Sequence, residues 1–212
     1  MLGKQWKFTF GTACLLMLVV CSARAEIGWT QGVVKVERLP QPQVSPSVVY
    51  LDVPHMSQGH LPWCVPVSTS MVLRYFDKDF NPAFLKRRAE SHKPKRRRNQ
   101  DFTYWADMNV ALRSIGERWT IRDYPRSESG FRRGLNDIRQ SLRSGRPVLI
   151  DVHLREGHTF VIAGFNDEDE VVYIRDPLLM PTQARMLTYA NLRSDWHNHR
   201  FGNSRSAFFS SP

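Results

Sequence analysis

The sequence predicts an α+β domain, with helices in its first part and antiparallel strands in its second. Three observations predict it. Apolar residues recur at helical spacing up to Ser144, as in Leu135, Ile138 and Leu142. Short apolar, β-branched runs then take over. An acidic turn, Asn166 to Glu170, joins two of those runs as a hairpin. At 212 residues, 42% hydrophobic and 24% charged, the chain has room for one domain with short appendages and is neither disordered nor a multi-span membrane protein.

Taken in order, Gln31 to Arg38 has the alternation of a short strand, and Leu39 to Ser47 is a Pro- and Gln-rich arm. Val48 to Val53 reads as a strand, followed by a polar loop from His55 to Trp63. A helix is expected over Cys64 to Phe76, with Pro66 in its first turn. Further helices are expected over Pro82 to Ser91, Phe102 to Gly116 and Phe131 to Ser144. Strands are expected over Pro147 to Val152, His158 to Phe165, Val171 to Arg175 and Ala184 to Leu187, with a short helix from Asn191 to Trp196.

The first 25 residues read as an export signal. Lys4 and Lys7 precede an apolar run, Phe8 to Val20, too short to span a membrane, and Ala23-Arg24-Ala25 offers a cleavage site. Residues 26–47 then form an arm and 48–212 the folded domain. An uncleaved anchor and a lipid on Cys21 are the alternatives; bulky Val20 argues against the lipid. The protein is thus expected in a periplasm or outside the cell, without a stable membrane span. Cleavage removes Cys14 and Cys21, so Cys64 alone remains. Exported proteins usually pair their cysteines, so a single one is either an inert buried thiol or a reactive one.

Charge is local. Without Lys4, Lys7 and Arg24 the chain keeps 27 basic and 20 acidic residues, and Lys86 to Arg98 holds eight of the basic ones with one acid, Glu90. The remainder is balanced at 19 of each sign. A nucleic-acid partner is therefore not expected. The basic stretch 86–98 is a solvated surface or a contact to anionic envelope material.

Four residues carry candidate chemistry. Cys64 stands at a helix start, where free N–H groups and the dipole favour an anion. Gln58, across a Gly/Pro loop, could supply a side-chain N–H to an oxyanion beside the backbone N–H of Cys64. His158 begins a strand after Gly157 and could take the thiol proton and return it to a leaving amine. Asp176 ends the partner strand of the same hairpin and could hold the imidazole. Singly these are a core thiol, a surface amide, a strand histidine and an Asp-Pro turn; in this order they form a nucleophile, base, orienter and oxyanion donor. His153 with His158, and His197 with His199, lack the tight clustering of metal ligands, so no metal and no cofactor is expected.

The stretches MSQGHLPWCVPVSTSMVLRYF, LRSGRPVLIDV and GHTFVIAGFNDEDEVVYIRDP resemble the double-glycine (bacteriocin-processing) leader peptidases among the papain-like cysteine peptidases. The resemblance runs from about Val48 to Pro177. It implies a papain-like fold, a peptide or protein substrate, and Gln58, Cys64, His158 and Asp176 as the working residues. Val65-Pro66 departs from the Gly or Ala that many relatives carry after the cysteine and narrows the expected site entrance. No stretch resembles the transporter domains of the leader-processing enzymes, so cleavage after a double glycine is not implied. A peptide-binding module that cleaves nothing, and an acyl transferase, are the rival functions.

Overall fold

The computed structural model describes residues 46–93, 101–154, 157–179, 185–197 and 203–212. The expected export signal, the strand expected over Gln31 to Arg38 and the centre of the basic loop lie outside them. Gln43–Pro212 is one compact unit. Its elements run β1 (Val48–Tyr50), α1 (Cys64–Tyr75), α2 (Pro82–Ser91), α3 (Trp105–Ser114), β2 (Thr120–Tyr124), α4 (Glu128–Arg143), β3 (Val148–Val152), β4 (His158–Asn166), β5 (Val171–Arg175), β6 (Arg185–Thr188), α5 (Tyr189–Asp195) and β7 (Arg205–Phe209).

The strands form one antiparallel sheet in the order β2-β7-β3-β4-β5-β6, with β1 added to β4. β3 pairs with β4 over His158–Ile162, and β1 takes the stretch from Gly164 to Asn166. Both faces are covered, which is why β3 and β4 read as mainly apolar runs rather than alternating ones, Asp151, His158 and Thr159 apart. Leu149, Val161, Ala163 and Phe208 face one core with α1, α2 and α3. Val148, Ile150, Phe160, Ile162 and Ala207 face the other with α4 and α5.

The α+β, papain-like class stands, with two differences from the expected element order. β2 interrupts the helices, and β7, the last strand in sequence, lies inside the sheet between β2 and β3. Helix starts also moved. Ser127 caps α4, accepting the Gly130 N–H at 3.1 Å, so the helix begins ahead of Phe131. α3 begins at Trp105, which frees Phe102 to Tyr104 to line a cavity. α2 has the expected bounds because its signals are local: Asn81 Oδ1 accepts the Ala83 N–H at 2.8 Å, and Pro82 stands at the first helical position.

Close packing fixes α4. A Cβ on Gly134 would lie 2.5 Å from the Trp196 ring, and Trp196 is fully buried with its Nε1 donating to Ser206 O at 2.8 Å. The ring has nowhere to go. Gly134→Ala should therefore lower stability by about 1–3 kcal/mol, although alanine is the better helix former. Chemical denaturation checks this; unchanged or raised stability would show that α4 shifts freely.

Candidate active site

α1 presents Cys64 at its first position. Trp63 supplies no capping oxygen, no acid stands in the first turn, and Pro66 has no N–H to leave orphaned. The positive end of the helix therefore faces the thiol rather than a capping side chain. Residues Val65 to Leu73 are buried while Cys64, a free cysteine, is half-buried. Ser68, one turn on, donates to Thr159 O at 3.2 Å, and Trp105 Nε1 donates to Thr159 Oγ1 at 3.0 Å. Thr159 thus fastens α1 and α3 to the strand that starts at His158.

Gly157 precedes that strand with a φ of 101°, a conformation that costs glycine nothing and other residues strain. It sets the direction in which His158 enters. The imidazole is 5% exposed, and its Nε2 lies 2.7 Å from Asp176 Oδ1. The Cys64 thiol also acts on the imidazole and lines the same cavity. With Nε2 taken by the carboxylate, Nδ1 is the nitrogen left for the sulfur. Burial pushes the His158 pKa down. The Asp176 hydrogen bond, the Cys64 hydrogen bond and the charges of both push it up, and the net value is raised to about 9.

Asp176 is held by its own turn. Oδ1 accepts the Leu178 N–H at 3.0 Å, and the Asp176 carbonyl accepts the Leu179 N–H at 3.1 Å. Burial raises its pKa, but the His158 hydrogen bond and charge, the Leu178 N–H and Arg185 outweigh that and hold it below the ordinary carboxylate value.

Cys64, His158 and Asp176 are therefore one contiguous chain of contacts. Gln58 joins it through the backbone: its N–H donates to Pro177 O at 2.8 Å, while His55 Nε2 hydrogen-bonds Leu179 O at 3.0 Å. The loop before α1 is clasped to the turn after β5. Gln58 is only 9% exposed, not an open loop side chain, and its Nε2 donates to Leu61 O at 2.6 Å. An amide nitrogen carries two hydrogens, so one remains for an oxyanion. Gln58 Oε1 is buried with no partner among the described residues.

A cavity of about 270 Å³ opens beside Cys64 and His158. Phe102 to Ala106 wall it, and Ile121, Asp123, Asp151, Thr159 and Ser206 floor it. Sequence reasoning missed these residues. One signal was available: Asp151 is the only charged residue in the buried strand VLIDV. Trp63, beside Cys64 in sequence, lines a separate groove with Leu61, Pro62 and residues of α2.

The basic stretch is less free than its sequence suggests. Lys86 pairs with Glu90 and Lys93 with Asp107 at 2.9 Å, and both lysines are buried. Arg87 and Arg88 are exposed; positions 94–100 lie outside the described residues. Among the described residues no three His, Cys, Asp or Glu side chains converge as metal ligands would, and no helix is long and apolar enough to cross a membrane.

Two solved structures share this architecture. One is a double glycine motif protease from an AMS/PCAT transporter in complex with the leader peptide: 17% identity, TM-score 0.50, covering 77% of this chain and 95% of that one. The other is the peptidase domain of Streptococcus ComA, a bifunctional ABC transporter of a quorum-sensing pathway: 15% identity, TM-score 0.51, covering 76% and 99%. At such identities the likeness is one of fold. No curated protein sequence matches the chain significantly. The model of the Peptidase_C39 like family matches residues 50–203, well over half of the sequence, and the chain belongs to that family.

Proposed function

We propose that this protein is an exported cysteine peptidase that hydrolyses peptide bonds with Cys64 as nucleophile, His158 as acid and base, Asp176 as orienter and Gln58 as oxyanion donor. One observation carries the proposal: a buried imidazole held by a carboxylate at 2.7 Å, sharing the mouth of one cavity with a helix-start thiol. The peptide substrate is supported by the leader peptide bound to the related solved protease.

The chemistry follows from the contacts. With the proton already held on His158 Nδ1, the sulfur attacks the substrate carbonyl carbon. The Cys64 N–H and the second Gln58 Nε2 hydrogen receive the developing oxyanion. His158 passes its proton to the leaving amine as the C–N bond breaks, giving a thioester. Water, losing a proton to His158, then releases the acid and leaves the sulfur free beside the protonated imidazole. Asp176 keeps the ring aligned and its cation stable throughout.

Cys64→Ala should abolish turnover with the fold intact, by roughly 10³-fold or more. Asp176→Asn should keep a fraction, falling by roughly 10²-fold, because an amide oxygen still accepts from Nε2. Peptide cleavage kinetics beside thermal melting decide both; turnover by a folded Cys64→Ala variant would sink the proposal.

The pH dependence has a definite sign. The His158 pKa is raised above its ordinary 6.5, so the imidazolium is fully formed below that value and is lost as pH rises through about 9. The high-pH limb of the rate profile should fall near there. Asp176→Asn removes the largest raising influence, so that limb should move to lower pH. A limb that does not move would separate Asp176 from the titration.

Export rests on residues 1–25. Intact-mass analysis of protein recovered from outside the cytoplasm should give a chain beginning at Glu26. An uncleaved N-terminus or a lipid on Cys21 would overturn that assignment.

A further inference from the structure

The polar part of the cavity floor is a single row of side chains running across four strands, with Ile121 of the next row beside it. Asp123 lies opposite Ser206 between β2 and β7, and Asp151 opposite Thr159 between β3 and β4. Asp151 and Ser206 stand one step beyond the last β3–β7 pair, Ile150 with Ala207. Directly opposed residues share a face, as do residues two apart on a strand. The next row on that face is Ile121, Phe208, Leu149 and Val161, all apolar and packed into the core. Polarity therefore begins where the core ends and the cavity opens.

We propose that this cavity is a subsite for a cationic side chain, lysine- or arginine-like, of the peptide substrate, with the Asp123 carboxylate as its ionic partner. The inference names a substrate class for the peptidase proposed above and rests on that reading for its turnover consequences.

Four features support it. Asp123 is exposed; its carboxylate accepts from Ser206 Oγ at 2.6 Å and takes part in no ion pair among the described residues. The neighbouring Arg122 is directed to Asp137 at 3.0 Å. Thr103 lines the cavity, is 5% exposed, and its Oγ1 is buried with no partner among the described residues, so a polar ligand atom is wanted there. The walls include Phe102, Tyr104 and Trp105, whose rings suit a methylene stem and attract a cation over their faces.

An anionic side chain would meet Asp123 and the buried Asp151. A purely apolar one would strip water from a carboxylate and a hydroxyl without replacing it. The positive groups at the border are already engaged: Lys93, over the Tyr104 ring at 5.4 Å, pairs with Asp107, and His158 is flanked by Asp176 and the Cys64 sulfur. From β4 to β2 is three strand spacings, about 14 Å. That is the reach of a long side chain one or two residues from the scissile bond, not of the reacting carbonyl itself.

The test has two arms. In the first, the wild-type protein cleaves matched peptides carrying lysine, norleucine or glutamate at each of two positions on either side of the bond. Lysine should exceed norleucine in kcat/KM by about tenfold or more at one position. Asp123→Asn should bring that ratio close to one, and Asp123→Lys should turn the preference toward glutamate. In the second arm, Nα-acetyl-lysine amide and Nα-acetyl-norleucine amide are titrated into the Cys64→Ala protein, with and without Asp123→Asn, and binding is read by NMR. Lysine amide should bind about tenfold tighter, and Asp123→Asn should erase the difference. Cleavage without any lysine preference overturns the subsite and leaves the peptidase standing. Asp123-dependent lysine binding with no cleavage of any peptide supports the subsite and sinks the peptidase. Equal binding of the two amides overturns the subsite whether or not peptides are cut.

Discussion

Taking an imidazole out of water disfavours its cation, and His158 is nearly fully buried at the start of β4. The 2.7 Å contact with Asp176 reverses that preference. Much of the surrounding structure serves this one contact. The turn after β5 fixes the carboxylate with the Leu178 N–H, the loop before α1 grips the same turn through Gln58 and His55, and Ser68 ties α1 to the residue after His158. Loosening any of these moves the cation relative to the sulfur. The loop carrying the oxyanion candidate and the turn carrying the orienting carboxylate are therefore mechanically one unit.

How much of this was legible in the sequence depended on the range of each signal. α2 and β5 have the expected bounds because Asn81, Pro82 and an acidic turn mark them within a few residues. β2 and β7 were not foreseen. TIRDY and RSAFF are short and half-polar, and each becomes a strand only because the other, far along the chain, lies beside it. Helix bounds shifted where a cap or a packing contact outweighed apolar spacing, as Ser127 does for α4.

The same distinction divides the site. Cys64 at a helix start, His158 after a glycine and Asp176 before a proline are marked by neighbours in sequence, and a hairpin brings the last two together. The cavity floor is marked by nothing local. Asp123, Ser206, Asp151 and Thr159 become a row only when the register of four strands is known. The basic stretch shows the reverse failure: its composition suggested a free charged surface, yet Lys86 and Lys93 are spent on ion pairs within the domain.

The position of β7 has a consequence for how the molecule comes into being. β7, the last of the described strands in sequence, is an interior one, hydrogen-bonded on both edges, to β2 and to β3. Until it arrives, β2 has no strand partner among the described residues and Phe208 is missing from between Trp105 and Trp119. The chain therefore cannot close its sheet from the N-terminus onward, because β2 waits for β7. In the export proposed above, that delay would keep the chain threadable until β7 is in place.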